Sequence, residues 1–288
     1  MIAKPSGPRR ALALGAALTI AGVILVGFAT QMIFLSSFKH ERDQESLYGD
    51  FRYQLADATA PVAQIDDDGN LTPLGTPVAL LSVPKLGISE VVLEGSTSTV
   101  TISGPGHRRD TALPGQRGVS VIMGRSGAYG APFAGIELLA AGDMIEVMTG
   151  QGEFTYEVVG VRREGDPQPP DLGEFGGRLT LVTADGPRFL PTGVLRVDAE
   201  LRTEAAPTPA PVLRIGSLGP EEAAMGGDPS AWLPVLLLAQ FGLVVVVVTI
   251  VAMRRWGRWH SWIVTLPVAL WIGSALSEQV SILLPNLL

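Results

Sequence analysis

Cysteine is absent from the 288 residues. That excludes disulfides, cysteine-ligated zinc, iron–sulfur clusters and any cysteine nucleophile. Histidine is nearly absent: His40, His107 and His260 stand far apart, so a histidine-built metal site within one chain is not expected. Charged residues make up 17% of the chain, below the roughly 25% of ordinary globular proteins. The net charge of −7 argues against nucleic acid as a partner. No internal repeat is visible, and no cofactor or metal is expected.

What is plentiful is apolar surface. The apolar fraction is 47% and the mean hydropathy +0.32, which points to membrane segments. Residues 11–35 and 231–253 each lack any charge, and 259–276 is apolar, continuing past Glu278 as VSILLPNLL. A helix rises about 1.5 Å per residue, so about 20 apolar residues cross a bilayer. Three transmembrane helices are expected, the third running within 259–288 with a short outer end. Glu278 then sits at the outer interface, where solvation accounts for it. The first run follows Lys4, Arg9 and Arg10 and fits a cleaved signal peptide in charge, but its length exceeds a signal h-region and favours an uncleaved anchor.

Positive charge sets the expected orientation. Lys4, Arg9 and Arg10 in 1–10, and Arg254, Arg255 and Arg258 in 254–258, have no acids among them. Both segments are expected in the cytoplasm, with Trp256 and Trp259 as interfacial anchors. Residues 36–230 then lie outside, with 15 Lys and Arg against 27 Asp and Glu. Such an acidic domain does not adhere to anionic lipid headgroups or wall polymers by charge alone.

The outer region divides by composition. Residues 36–76 read as a stalk, with a polar opening that extends the first helix. It ends near an acidic turn, Asp66-Asp67-Asp68-Gly69-Asn70. That turn lacks the glutamate an EF-hand loop carries at its twelfth position, so a solvated turn is expected. Residues 77–202 show short runs with β alternation at 78–83, 91–94, 119–123, 144–149, 154–162, 178–183 and 194–201. Gly and Pro clusters such as Gly104-Pro105-Gly106 punctuate them. The fold class expected is mainly β: a closed β-barrel flanked by three transmembrane α-helices. Residues 203–230 read as a linker, extended in its Pro/Ala part and loose in its Gly part.

The stretch 80–147 carries Pro84-Lys85-Leu86-Gly87, Gly104-Pro105-Gly106-His107, Thr111-Ala112-Leu113-Pro114-Gly115, Tyr129-Gly130-Ala131-Pro132-Phe133 and Gly142-Asp143. These motifs, in this order, resemble the class D and E sortases of Gram-positive bacteria. Residues 154–158 and 178–183 continue the resemblance. It implies a sortase barrel and an extracytoplasmic cysteine transpeptidase that cuts a sorting signal and joins a protein to the wall or to a pilus subunit. That chemistry needs a thiolate, a histidine and an arginine.

None of the three stands at its matching position. The family's histidine falls on Arg125, which stays protonated and is no general base. Its cysteine falls on Ala184, and its arginine on Val194, or on Gly193 if the loop register slips by one. Arg196 shares a strand face with Val194 but lies about 6–7 Å farther along. Scaffold motifs persist around the loss, including Tyr129, Pro132-Phe133 and Thr183. The resemblance therefore implies an inactive homologue whose groove, with Arg125, Tyr129, Thr183, Ala184, Arg188, Val194 and Arg196 as candidate lining, still holds a peptide.

Two readings of Arg125 stand side by side: a clamp on a peptide carboxylate or carbonyl, and an internal salt bridge with one of the domain's acids. His107 lies where the family has a histidine additional to its catalytic one, and a local hydrogen-bonding role is expected. His40 and His260 read as polar interface residues. Thr183 and Ser126 are hydroxyls without a visible base; Asp185 flanks Ala184 on its other side and points to the opposite strand face from it. The expected partners are the lipid bilayer and an exported surface protein, a pilus-like subunit or an active sortase. The alternatives are an active transpeptidase or peptidase with a relocated hydroxyl nucleophile, and a purely structural membrane protein.

Overall fold

Every alternating run forms a strand in the computed structural model, which describes residues 7–66, 68–173 and 175–288, without the side chains of 7–13 and Arg258. Lys4, Asp67 and the side chains of Arg9, Arg10 and Arg258 lie outside that description. The strands are β1 (Pro77–Val83), β2 (Ile88–Glu94), β3 (Gly106–His107), β4 (Gly118–Met123), β5 (Met144–Thr149), β6 (Gly152–Arg162), β7 (Gly177–Asp185) and β8 (Gly193–Leu201). The helices are α1 (Gly7–Thr30), α2 (Ser36–Ala56), α3 (Ser98–Thr101), α4 (Trp232–Arg255) and α5 (Arg258–Leu283).

The chain separates into two units, Met1–Leu35 with Pro229–Leu283, and Ser36–Asp228 with Leu284–Leu288. In the second, the strands close a barrel in the order β1-β2-β3-β4-β7-β8-β6-β5, with β5 pairing back to β1. Side chains alternate across each strand. Leu81, Ile122, Ile145, Val147, Leu179, Leu181, Leu195 and Val197 point into one apolar core. The pairs β2–β3 and β4–β7 are parallel and the rest antiparallel.

β3 has only two residues, so it carries no periodicity to read, and the Gly-Pro-Gly before His107 looks like punctuation. A Cβ on Gly106 would run into the Gly95 carbonyl, so the parallel β2–β3 step needs glycine there. Gly115, at φ +90°, packs under the Phe154 ring, and its N–H donates to the Tyr156 hydroxyl at 2.6 Å. Two of the glycine motifs are thus backbone requirements of the barrel.

Three segments differ from expectation. The stalk is no free spacer: α2 is helical as expected, but Phe51 is fully buried against Val91, Leu93 and Val100. Gln44 also bonds the barrel, accepting from Val91 N–H at 2.7 Å and donating to the Ser103 carbonyl at 2.9 Å. The linker is not loose. Ala206 N–H reaches the Gly115 carbonyl at 2.9 Å, Gly216 N–H reaches Asp110 at 2.7 Å, and Glu222 is buried. Composition reads backbone freedom, not the partners that remove it. The third difference is at the far end. α5 runs through Glu278 to Leu283, and Leu284–Leu288 leaves it to join the barrel unit instead of forming an outer end.

Among the described residues, three helical stretches are long and apolar enough to cross a membrane: Leu14–Ala56, Pro229–Arg255 and Trp259–Leu283. Gly27 and Gly273 let α1 and α5 pack backbone to backbone, since a Cβ on either would strike the other helix. Thr249 and Thr265 hydroxyls meet at 2.9 Å, and Ser274 donates to Gln31 at 2.8 Å.

Candidate functional site

β4 and β7 run parallel and β8 returns beside them, so the ends of β4 and β7 and the start of β8 meet at one end of the barrel. Met123 pairs with Val182 and Ala184 with Val194. Arg125 follows β4 directly. The three positions that the resemblance singles out, Arg125, Ala184 and Val194, therefore converge from distant parts of the sequence. The Gly124 N–H donates to the Val182 carbonyl at 2.9 Å, and the Thr183 hydroxyl donates to the Gly124 carbonyl at 2.8 Å. Thr183 is a stitch between β7 and the Arg125 loop. Asp185 pairs with Arg163 at 3.1 Å and so is held away from that hydroxyl's chemistry.

Arg125 is 1% exposed. Its Nη2 donates to the Ser98 carbonyl at 3.1 Å and its Nη1 to a main-chain oxygen of Leu288 at 3.2 Å. The guanidinium lies 5.3 Å from the centroid of the Tyr129 ring. Burial pushes its pKa down to about 10, with Tyr129 opposing, so the group remains a cation at neutral pH. Arg125 is thus held by main-chain oxygens of Ser98 and Leu288 and by the Tyr129 ring. Tyr129 itself sits at φ +52°, and its ring is buried.

The other two candidate arginines are set elsewhere. Arg188 donates to the Gly127 carbonyl and lies over the Phe189 ring, which shapes the loop beyond β7. Arg196 pairs across the sheet with Val182 and Arg162. Burial and Arg162 lower its pKa, while Asp198 and Glu164 oppose the shift. It lies two residues beyond Val194 on β8, beside Arg162, Asp198 and Glu164.

Sequence reasoning missed the segment that fills the site. Leu287 and Leu288 pack on Met123, Val182 and Ala184, with Val194, Ala224 and Met225 around them. Leu287 is fully buried and Leu288 is 8% exposed; burying a leucine side chain is worth about 1.5–3 kcal/mol. The backbone is bonded as well. Ser126 N–H donates to the Leu287 carbonyl at 2.9 Å and Ala128 N–H to the Leu288 carbonyl at 3.3 Å. The Ser126 hydroxyl also donates to the Leu287 carbonyl, at 3.3 Å. Asn286 Nδ2 donates to the Ser96 carbonyl at 2.6 Å and the Ala223 carbonyl at 3.0 Å. Ser98 donates to the Leu284 carbonyl at 2.9 Å. This cover explains why β7 is buried on both faces, with Leu179 and Leu181 in the core and Val182 and Ala184 under the leucines. The signal available in the sequence was Pro285, which stops a helix, and the polar Asn286 inside an apolar run.

His107 lies apart from this cleft on β3. It is fully buried, with Nδ1 at 2.9 Å from Glu94 and Nε2 at 2.9 Å from the Ala112 carbonyl. Both ring nitrogens face acceptors, which favours the doubly protonated ring. Burial works against that charge, but Glu94, the Ala112 carbonyl and Asp110 outweigh it and raise the pKa above 6.5. The local hydrogen-bonding role expected for His107 matches this geometry. His40 is not at a polar interface: it is buried on α2 and meets Glu90 at 3.1 Å. The acidic turn is closed by Asp66, which accepts from Asn70 N–H at 2.8 Å. Among the described residues no cluster of three or more metal-ligating side chains occurs.

A closed eight-stranded barrel is typical of the sortase fold. Residues 81–189 match the sortase-domain family model, so the barrel is a sortase domain. Sortase D of Bacillus subtilis (strain 168) is 26% identical over 142 residues, 48% of this chain and 70% of that protein. The sortase D5 transpeptidase of Clostridium perfringens is 24% identical, covering 58% of this chain and 100% of that one, with a TM-score of 0.46. Sortase E of Streptomyces avermitilis is 29% identical over 46% of this chain and 91% of its own, with a TM-score of 0.40.

Proposed function

We propose that this chain is a catalytically silent, membrane-anchored sortase homologue that binds a peptide where active relatives cut one. The carrying observation is the composition of the cleft. Arg125 donates to backbone carbonyls, Ala184 and Val194 offer methyl groups, and Thr183 spends its hydroxyl on Gly124. A transpeptidase needs a nucleophile with a base beside it. Clamped carbonyls and an apolar floor serve holding instead.

The reading includes a place in the cell. The three apolar helices anchor the chain in a bilayer, the arginines of 1–10 and 254–258 lie in the cytoplasm, and the barrel faces outward. By resemblance the setting is the envelope of a Gram-positive bacterium, and the partner is an exported surface protein, a pilus-like subunit or an active sortase.

The test is turnover and binding by the full chain in detergent micelles, with a quenched library of sorting-signal peptides. The variant carrying Arg125→His, Ala184→Cys and Val194→Arg runs beside it. Binding without cleavage by the unmodified chain is the expected result. Cleavage by the unmodified chain, which thiol reagents cannot touch, would overturn the reading and return the relocated-hydroxyl alternative.

A further inference from the structure

The residues after α5 read Leu284-Pro285-Asn286-Leu287-Leu288. Pro285 has no N–H and stops the helix; Leu288 N–H then closes a turn on the Pro285 carbonyl at 3.0 Å. Every way of holding a short peptide is present on this turn. Its carbonyls are met by Ser126 N–H, Ala128 N–H, the Ser98 hydroxyl and Arg125. Its one amide side chain is read by the Ser96 and Ala223 carbonyls, and its N–H at Asn286 by the Gly226 carbonyl at 2.7 Å. Its two leucines fill the apolar floor at Val182, Ala184 and Val194. The floor includes Ala184 and Val194, two of the three positions at which the resemblance expects chemistry, and the third, Arg125, donates to the turn.

The seat also carries costs that keep it from being plain core. Asn286 Oδ1 is buried without a hydrogen-bond donor, which opposes docking. The Arg125 guanidinium, a cation at neutral pH, is 1% exposed with the turn in place, and a buried charge is costly.

We propose that the cleft is a peptide-binding site occupied in cis by Leu284–Leu288 as a resident, displaceable ligand. Peptides accepted in trans share its chemistry: a Leu-Pro turn, an amide side chain and two consecutive leucines. This rests on the reading of the cleft as a site that holds peptide, and its test reads occupancy and not cleavage. Turnover by the unmodified chain would end that earlier reading whatever the occupancy.

The absence of native cysteine makes the test direct. In the full chain in micelles, Ala184→Cys is the sole thiol, lying under Leu287 and Leu288. Maleimide labelling is expected to be at least about tenfold slower than in the same protein carrying Leu287→Asp, since reagent enters only when the segment leaves. Adding the peptide Ile-Leu-Leu-Pro-Asn-Leu-Leu to the Leu287→Asp protein is expected to restore protection, and a scrambled peptide is not. Equal labelling with and without Leu287→Asp would overturn cis occupancy, and no protection by the peptide would overturn the ligand chemistry. Ala199→Cys, fully buried in the barrel core, reports folding. If it labels in the Leu287→Asp background, the milder Asn286→Ala carries the same comparison.

Discussion

Two of the basic side chains buried in the barrel, His107 and Arg125, are held by different means. His107 faces Glu94, a carboxylate fixed on the neighbouring strand, with a backbone carbonyl at its other nitrogen. Arg125 faces main-chain carbonyls, one of them on a segment that arrives from the far end of the sequence. A charge countered by a fixed carboxylate on a paired strand is architecture, because neither partner can leave without unfolding. On the proposal above, a charge met by a main-chain oxygen of a short turn marks a site, because the turn leaves and water replaces it. The same strands thus carry a closed corner and an open-ended one.

The largest effect expected is at the closed corner. Glu94→Ala leaves the His107 ring buried without its counter-charge, and breaking such a pair costs about 3–5 kcal/mol. Denaturant unfolding of the full chain in micelles measures it. A loss no greater than that of an exposed substitution would remove the distinction between the corners. Next come two leucines at similar burial. Leu181→Ala opens a cavity in the core and is expected to cost about 2–5 kcal/mol globally. Leu287→Ala is expected to leave global stability nearly unchanged, while the amides of Ser126 and Ala128 exchange faster. Equal global losses would make the 284–288 turn part of the core.

How much of this was legible follows the same division. The barrel strands showed themselves because half-buried strands alternate, as in Phe154-Thr155-Tyr156-Glu157-Val158. The convergence of Arg125, Ala184 and Val194 came from family resemblance, since no local pattern announces that β4, β7 and β8 end together. β3 escaped because two residues have no period. Leu284–Leu288 escaped because an apolar run after a spanning helix looks like more of the span, and composition cannot say which apolar surface it meets. The pinning of 203–230 by Gln64, Asp110 and Gly115 is non-local for the same reason.

A smaller effect separates the two cations by pH. The folded pKa of His107 is raised, so its contribution is full below the unfolded value of 6.5 and is lost as pH rises through the folded value. Glu222, raised chiefly by burial, acts in the same direction. Arg125, at about 10, keeps its charge throughout that range. Stability of the full chain is expected to fall as pH rises above 6.5 for His107 and above 4.5 for Glu222, by no more than about 1.4 kcal/mol per pH unit for each group. His107→Gln lowers stability but flattens the slope, while Arg125→Gln leaves the slope intact. Melting temperatures across pH 6–9 check both; an unchanged slope in His107→Gln would reassign the titration.

The smallest effect bears on the cleft's chemistry. Thr183→Val keeps the shape of a β-branched side chain and removes only the hydroxyl that donates to the Gly124 carbonyl. The carbonyl is left one donor short, which costs about 1 kcal/mol. Leu287 and Leu288 rest on the opposite face of β7, at Val182 and Ala184, so peptide binding and the protection of an Ala184→Cys thiol are expected to stay as they were. A stitch predicts that split: a modest loss of stability with binding untouched. A nucleophile predicts the reverse, with stability hardly moved and every trace of peptide turnover gone. Unfolding and peptide assays on this one variant decide between them.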